Sequence, residues 1–294
     1  MESFQFGRII IEPHTYCNRS CDFCLIKYMD KAYKEKVFYM SDEILYKTLN
    51  TIYSNIHLFK QPLTISLFKY NEPLYDLDNF NKVKNIIKQY FRDRNIDTYL
   101  YIHTNGDYLN CNNFESVMNN LDQMIVNDYS DGGIKKSLEF FSKLNKSIKF
   151  QKIEYSSMNK KDKIYYNYKC KSIISYINST SGMLKTTRGS VLQDYLDINS
   201  SGKWVNNAIK RDYDCDVIGR IFIVDYNGDV FPCCDTSSRI TKHKDMCVGN
   251  ILHDSIKNII DNTKNINIYN KKACEYCHMG NLNCSYIDDN LRYY

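Results

Sequence analysis

The sequence has no apolar run approaching the roughly 18–20 residues that a membrane-crossing helix needs. Its first residues, MESFQFGRIIIEP, lack the basic-then-apolar leader with a small-residue cleavage site that directs secretion. Neither a membrane protein nor a secreted one is expected, and the expected compartment is the cytoplasm. Neither charge sign dominates: 39 Lys and Arg oppose 34 Asp and Glu, a net +5 with both signs interspersed. That balance is too mild and too scattered to argue for a nucleic-acid partner. Long internal repeats and low-complexity linkers are absent. Proline is scarce, at 4 residues, while Lys, Asn, Ile and Tyr are abundant; this is a coding bias from which no function follows. Over 294 residues, 43% hydrophobic and 25% charged content excludes wholesale disorder. The length suits one large domain, or one domain with a small appendage.

What the sequence has in excess is cysteine, with 12 residues. Without a leader, a disulfide framework is the weaker reading, and clustered cysteines point to metal. Cys17, Cys21 and Cys24 form one group near the start. Cys111 and Cys170 stand alone and read as packed small hydrophobes. Cys215, Cys233, Cys234, Cys247, Cys274, Cys277 and Cys284 form the second group.

The first two-thirds alternates strand-like and helix-like segments. Arg8–Glu12, Leu63–Phe68, Thr98–His103, Gln123–Asn127, Ile148–Tyr155 and Met183–Thr187 read as strands. Ile44, Leu45, Thr48, Leu49, Ile52 and Ile56 recur at helical spacing behind Ser41-Asp42-Glu43, a suitable helix N-terminus. Further helices are predicted from Phe80 to Phe91, from Asn112 to Leu121 with a cap from Asn112 and Glu115, over Ile134–Leu144 and over Asp162–Tyr176. Such alternation implies an α/β fold with parallel strands joined by crossover helices. Six units make a partial (β/α)6 TIM-like barrel with an open side. A boundary is placed between about Arg188 and Trp204, giving domains over residues 1–195 and 196–294. The second is read as small and α+β, with a hairpin from Arg220–Tyr226 and Asp229–Phe231 turning at Asn227-Gly228, and a helix at Ser255–Asn262.

Cys17-Asn-Arg-Ser-Cys21-Asp-Phe-Cys24 directly follows the first strand, at the end where parallel α/β barrels build their sites. Three thiolates can hold three irons of a cubane cluster and leave the fourth open. A zinc site of three cysteines completed by His14 is the alternative, although structural zinc usually takes four ligands at regular spacing. The stretch RIIIEPHTYCNRSCDFC resembles the first strand and cluster loop of the radical S-adenosylmethionine (radical-SAM) superfamily. The resemblance implies a [4Fe-4S] cluster on Cys17, Cys21 and Cys24, with S-adenosylmethionine on the open iron. Lys69-Tyr70-Asn71-Glu72-Pro73 stands where that family often has Gly-Gly-Glu-Pro, which contacts the methionine ammonium. Tyr70 and Asn71 replace the glycines here. Thr104-Asn105-Gly106 resembles the family's Thr-Asn-Gly turn, where Asn105 would donate to the cofactor; a plain turn is the alternative. Asn127 and Asp128 stand where ribose contacts often lie. Arg188-Gly189 would reach the cofactor or a substrate carboxylate, or Arg188 is a surface residue.

The later cysteines resemble the SPASM, or shorter twitch, extension of radical-SAM enzymes. Cys215 is followed by twelve residues, Gly228, four residues and Cys233, then by Val248-Gly249-Asn250-Ile251 and Cys274-Glu-Tyr-Cys277. The twitch form, with one auxiliary [4Fe-4S] cluster on Cys215, Cys233, Cys274 and Cys277, is favoured. After Cys277 come six residues, Cys284, three residues and Asp288, not a further cysteine. Two incomplete clusters recruiting Cys234, Cys247, Cys284 or Asp288 are the alternative, and a structural zinc knuckle a third. No catalytic residue is assigned. Cys234, Cys247 or Cys284 could donate hydrogen to a substrate radical, and His103 reads as a lining residue.

The resemblance implies an oxidoreductase that cleaves S-adenosylmethionine to a 5′-deoxyadenosyl radical and abstracts hydrogen from a substrate C–H. A one-electron donor such as flavodoxin or ferredoxin would drive it. Oxidation of a small sugar- or aminocyclitol-like substrate is favoured, with the auxiliary cluster as electron acceptor; the arrangement resembles that of a radical-SAM dehydrogenase acting on an aminocyclitol. Epimerisation and ribosomal peptide modification are rivals. A peptide-recognition domain would normally precede the first strand, which begins here by about Arg8. A non-enzymatic zinc-binding module is the alternative from another class.

Overall fold

Three consecutive isoleucines give strand β1 (Arg8–Ile11) its β propensity and its two-faced burial. It lies between two parallel neighbours, β2 (Leu63–Ser66) and β8 (Ile221–Val224). The computed structural model describes residues 4–20, 24, 26, 29–110, 112–127, 149–154, 163–167, 172–177, 214–215, 217–234 and 236–274. Among them a ten-stranded sheet runs in the order β10 (Gly249–Asn250), β9 (Asp229–Phe231), β8, β1, β2, β3 (Thr98–Thr104), β4 (Gln123–Asn127), β6 (Lys163–Asn167), β7 (Ser172–Ile177) and β5 (Lys149–Glu154). Strands β3 (Thr98–Thr104) and β4 (Gln123–Asn127) continue the parallel part. Strands β9 (Asp229–Phe231) and β10 (Gly249–Asn250) extend the other edge antiparallel.

Among the described residues the α-helices are α1 (Ala32–Glu35), α2 (Asp42–Ser54), α3 (Leu77–Arg92), α4 (Phe114–Met118) and α5 (Ile256–Lys264). The Ser41 hydroxyl accepts from the Ile44 N–H at 3.2 Å, Asp76 caps α3 through Asn79 at 2.9 Å, and Ser255 caps α5 through Asn258 at 3.1 Å. The period of two along each strand then separates two cores. Ile9 and Ile11, Ile65, Leu100 and Ile102, Met124, and Phe222 and Val224 pack with Leu45, Leu49, Phe80, Ile87 and Val117 of the helices. Ile10, Ile223 and Phe231 point the other way and pack with Met246, Ile268, Ala273 and Cys274 of the C-terminal segment.

Two expectations are corrected. The segment Asp162–Tyr176, predicted helical, contains β6 (Lys163–Asn167) and the start of β7 (Ser172–Ile177). Isoleucine and tyrosine favour a pleated surface, and their spacing is ambiguous over so short a run. Strand β6 pairs antiparallel with both β4 and β7, and β5 (Lys149–Glu154) joins parallel to β7, so the sheet is mixed at this edge. The N-cap of α4 is Asn113, not Asn112, and it makes no side-chain capping bond. The predicted helix Ile134–Leu144, the strand Met183–Thr187 and the boundary between Arg188 and Trp204 lie outside the described residues. The α/β class with a parallel sheet holds.

The hairpin turns at Gly228, whose φ of 86° suits glycine. Gly249, with φ 156°, sits closer still: a Cβ there would meet Ile259 Cγ1 at 2.9 Å and Asp254 Oδ2 at 3.1 Å. The same Asp254 oxygen accepts from the Asn250 N–H at 2.7 Å. Gly249→Ala is expected to cost about 1–3 kcal/mol, read as a lower denaturation midpoint; an unchanged midpoint would show that the β10–α5 packing yields to a methyl group.

Candidate cluster and cofactor site

The loop after β1 is anchored before its cysteines begin. His14 is fully buried, its Nδ1 accepts from the Tyr16 N–H at 3.2 Å, and Asn71 Nδ2 stands 3.5 Å from Nε2. Burial pulls its pKa down to about 4, so the ring is neutral near pH 7. Both ring nitrogens thus have protein partners, which does not favour His14 as a fourth zinc ligand. The Tyr16 carbonyl accepts from the Glu72 N–H at 2.8 Å, and the Tyr16 ring lies on Tyr75 with centroids 3.9 Å apart. Asn18 and Arg19, between the first two cysteines, both reach Asp107: Asn18 Nδ2 at 2.7 Å, Arg19 Nε at 2.7 Å and Nη2 at 2.5 Å. The Arg19 hydrogen bonds hold the Asp107 carboxyl below its usual pKa. Cys17 and Cys24 are half-buried, and Cys21 lies outside the described residues.

Glu72 ties this loop to the ends of β2 and β3. Its Oε1 accepts from the Leu74 N–H at 3.1 Å and from the Thr104 hydroxyl at 2.6 Å, and its Oε2 accepts from the Asn105 N–H at 2.8 Å. A carboxylate offers about four acceptor positions, so Oε2 keeps room for a further donor such as an ammonium. Burial pushes the Glu72 pKa up to about 7, against the three hydrogen bonds, which favour the charged form. Asn105 donates from Nδ2 to Asn18 at 2.8 Å and accepts at Oδ1 from the Asp107 N–H at 2.9 Å. The Thr104 hydroxyl also accepts from the Gly106 N–H at 3.0 Å, and Gly106 has φ 78°. Glu72, Thr104 and Asn105 therefore form one bonded unit beside the cysteine loop. Asn127 ends β4, while Asp128 and Arg188 lie outside the described residues. His103 stacks on Phe68 with centroids 4.2 Å apart, on the sheet face opposite the helices.

In the C-terminal segment Cys274 is buried in an apolar cluster against which Cys215, Cys234 and Cys247 pack. Cys233 is buried but is not a member of that cluster. Burial raises the Cys247 pKa, and its thiol donates to the Gly249 carbonyl at 3.3 Å. Cys277 and Cys284 lie outside the described residues. Among the described residues, no three His, Cys, Asp or Glu side chains converge on a point that could hold a metal ion. Each cysteine set is thus seen without one of its expected members. Soft sulfur donors are nonetheless the set that suits iron–sulfur chemistry.

The sequence did not single out the charges that hold these parts together. Glu12 and Arg239, both fully buried, form an ion pair. Lys69 and Asp225, likewise buried, form a second at 2.5 Å. Each charge is solitary in an apolar or polar run, and only the juxtaposition of distant segments reveals its partner.

Residues 215–285 match SPASM, an iron–sulfur cluster-binding domain. The fold is similar to that of BtrN in complex with AdoMet and 2-DOIA, with a TM-score of 0.59 at 18% identity over 91% of this chain and 88% of that one. It is also similar to BtrN in an open conformation, with a TM-score of 0.50 at 16% identity over 93% and 88%. A search of curated proteins by sequence gives no match. The chain therefore shares the fold of these structures, and residues 215–285 carry the SPASM match.

Because the folded pKa of Glu72 lies above its unfolded value, folding takes up a proton between the two. Stability from this group is fully present below about pH 4.5 and falls as pH rises towards about 7. The fall is on the order of 3 kcal/mol. Thermal melts from pH 4.5 to 7.5 should show a smaller loss for Glu72→Gln than for the unaltered protein; parallel curves would place the titrating group elsewhere.

Proposed function

We propose that this protein is a radical-SAM oxidoreductase, with Cys17, Cys21 and Cys24 holding a [4Fe-4S] cluster that binds S-adenosylmethionine. One observation carries the reading. The cysteine loop leaves the C-terminal end of β1 and is bonded through Tyr16, Asn18 and Arg19 to the ends of the next two strands, at Glu72 and at Asn105 and Asp107. Cys215, Cys233, Cys274 and Cys277 hold an auxiliary [4Fe-4S] cluster. When bound, these groups supply reductive cleavage of S-adenosylmethionine to a 5′-deoxyadenosyl radical and a sink for the substrate's second electron.

The chain's own residues position and exclude. Glu72 offers its remaining Oε2 position to the methionine ammonium, and the unit it forms with Thr104 and Asn105 fixes that oxygen. Asn127 and Arg188 are assigned to further cofactor contacts. The apolar cluster around Cys274 keeps water from the auxiliary sulfurs. The substrate is a small sugar- or aminocyclitol-like molecule, oxidised at a carbon bearing a hydroxyl group. A flavodoxin or ferredoxin supplies the first electron. The fold shared with a protein captured with AdoMet and 2-DOIA supports this choice. Residues 1–195 form the radical-SAM unit and 196–294 the auxiliary unit.

Anaerobically purified protein should be brown, with about eight irons per chain. Replacing Cys17, Cys21 and Cys24 with Ala should abolish 5′-deoxyadenosine formation, measured by chromatography after incubation with S-adenosylmethionine and a reductant. Persistent formation would refute the assigned site. Replacing Cys274 and Cys277 should remove about four irons. Colourless protein with stoichiometric zinc would favour a structural module.

A further inference from the structure

The residue at position 70 departs from the glycine of the resembled motif, and the structure gives its side chain a use. Tyr70 is buried, its N–H donates to Glu12 Oε1 at 2.9 Å, and its hydroxyl donates to the Cys234 carbonyl at 2.7 Å. The strand end that follows the cysteine loop is thereby bonded to the backbone beside an auxiliary cysteine. Arg239 makes the reverse connection. It lies five residues beyond Cys234 and is fully buried. Its guanidinium pairs with Glu12 and donates from Nη1 to the Thr15 carbonyl at 2.6 Å, two residues before Cys17. Its own carbonyl accepts from the Asp30 N–H at 3.0 Å, six residues after Cys24. Thr241 adds a hydroxyl bond to Asp30 at 2.7 Å. One residue of the C-terminal segment thus grips both flanks of the N-terminal cysteine loop.

The second buried pair braces the same segment. Asp225 accepts from Lys69 and, through Oδ2, from the Ser238 N–H and hydroxyl, each at 3.0 Å. Buried ion pairs are poor stabilisers, because desolvation offsets their attraction. What they supply is geometry: a planar guanidinium fork satisfied by a carboxylate and a carbonyl admits one register.

We propose that Tyr70, Glu12 and Arg239 form a buried clamp that registers the two cysteine groups against each other. Arg239 is a positioning residue for the N-terminal cluster, and Tyr70 is one for the auxiliary cluster. The inference rests on the reading that both groups hold iron–sulfur clusters, and it adds the link between them.

The test uses the full chain, purified without oxygen and carrying both clusters. Arg239→Lys keeps the charge and loses the fork; Tyr70→Phe loses only the hydroxyl. Lys84→Met serves as a control. Lys84 is equally buried and donates to the Ser116 and Val117 carbonyls at 2.6 and 2.9 Å, but its bonds stay between α3 and α4. Iron retention under chelator challenge, and electron paramagnetic resonance of the reduced clusters with and without S-adenosylmethionine, are the readouts. Arg239→Lys should hold N-terminal iron about tenfold more weakly and change the cofactor-induced shift of that cluster's signal. Tyr70→Phe should shift the auxiliary signal and spare the other. Lys84→Met should lower the melting temperature and move neither signal. If Arg239→Lys does not fold, Tyr70→Phe decides. Two normal signals in both clamp variants, or the same change in all three, would overturn the clamp while leaving the function standing. Unaltered protein without iron–sulfur signals would overturn the function and the clamp together.

Discussion

The structure depends on the backbone pairing of β1 on both of its edges. On one side Ile9 and Ile10 pair with Ile65 and Ser66. On the other, Arg8 to Ile11 pair in parallel with Ile221 to Val224. A strand that delivers a cysteine loop is therefore shared between the N-terminal α/β layers and the C-terminal hairpin. A single ladder of hydrogen bonds aligns the segments that carry the two cysteine groups, which are far apart in the chain. Side-chain alternation along the same ladder sends Ile9 and Ile11 to the helices and Ile10 to the cluster around Cys274.

Polar groups buried at the end of this ladder are costly unless paired. Glu72 meets that cost with three donors; Glu12 meets it only at Oε1, with a guanidinium and a backbone amide, while its buried Oε2 accepts no hydrogen bond among the described residues. Both carboxyl groups are pushed up in pKa by burial. For Glu72, a cofactor contact would be added to a carboxylate already held in place, which is how a site gains precision without a flexible ligand.

Much of this was legible in the sequence. Ser41, Asp42 and the apolar spacing behind them announced a capped helix, and Asn227-Gly228 announced the hairpin. The loop at Cys17 to Cys24 was placed by the apolar run before it. Glu72, Thr104 and Asn105 were each singled out by motif, but their joint bonding was not foreseeable, because it depends on how the ends of β2 and β3 meet. The strands over 163–177 were misread because isoleucine and tyrosine in short runs fit either period. Arg239 was invisible for another reason. It is one basic residue in a polar stretch, and its meaning comes from Glu12, which lies 227 positions earlier.

The adjacency of β1 and β8 also fixes an order of events in time. Arg8 pairs with Ile221, a contact spanning most of the chain, and such distant closures form late in folding. While a ribosome is still extending the protein, the first strand lacks a neighbour along one side, and the carboxylate at its tip lacks its cation. The earliest thiols to be synthesised are thus housed only after translation has passed Arg239. Until then the loop lacks the Arg239 bonds at Thr15 and Asp30 that set its shape.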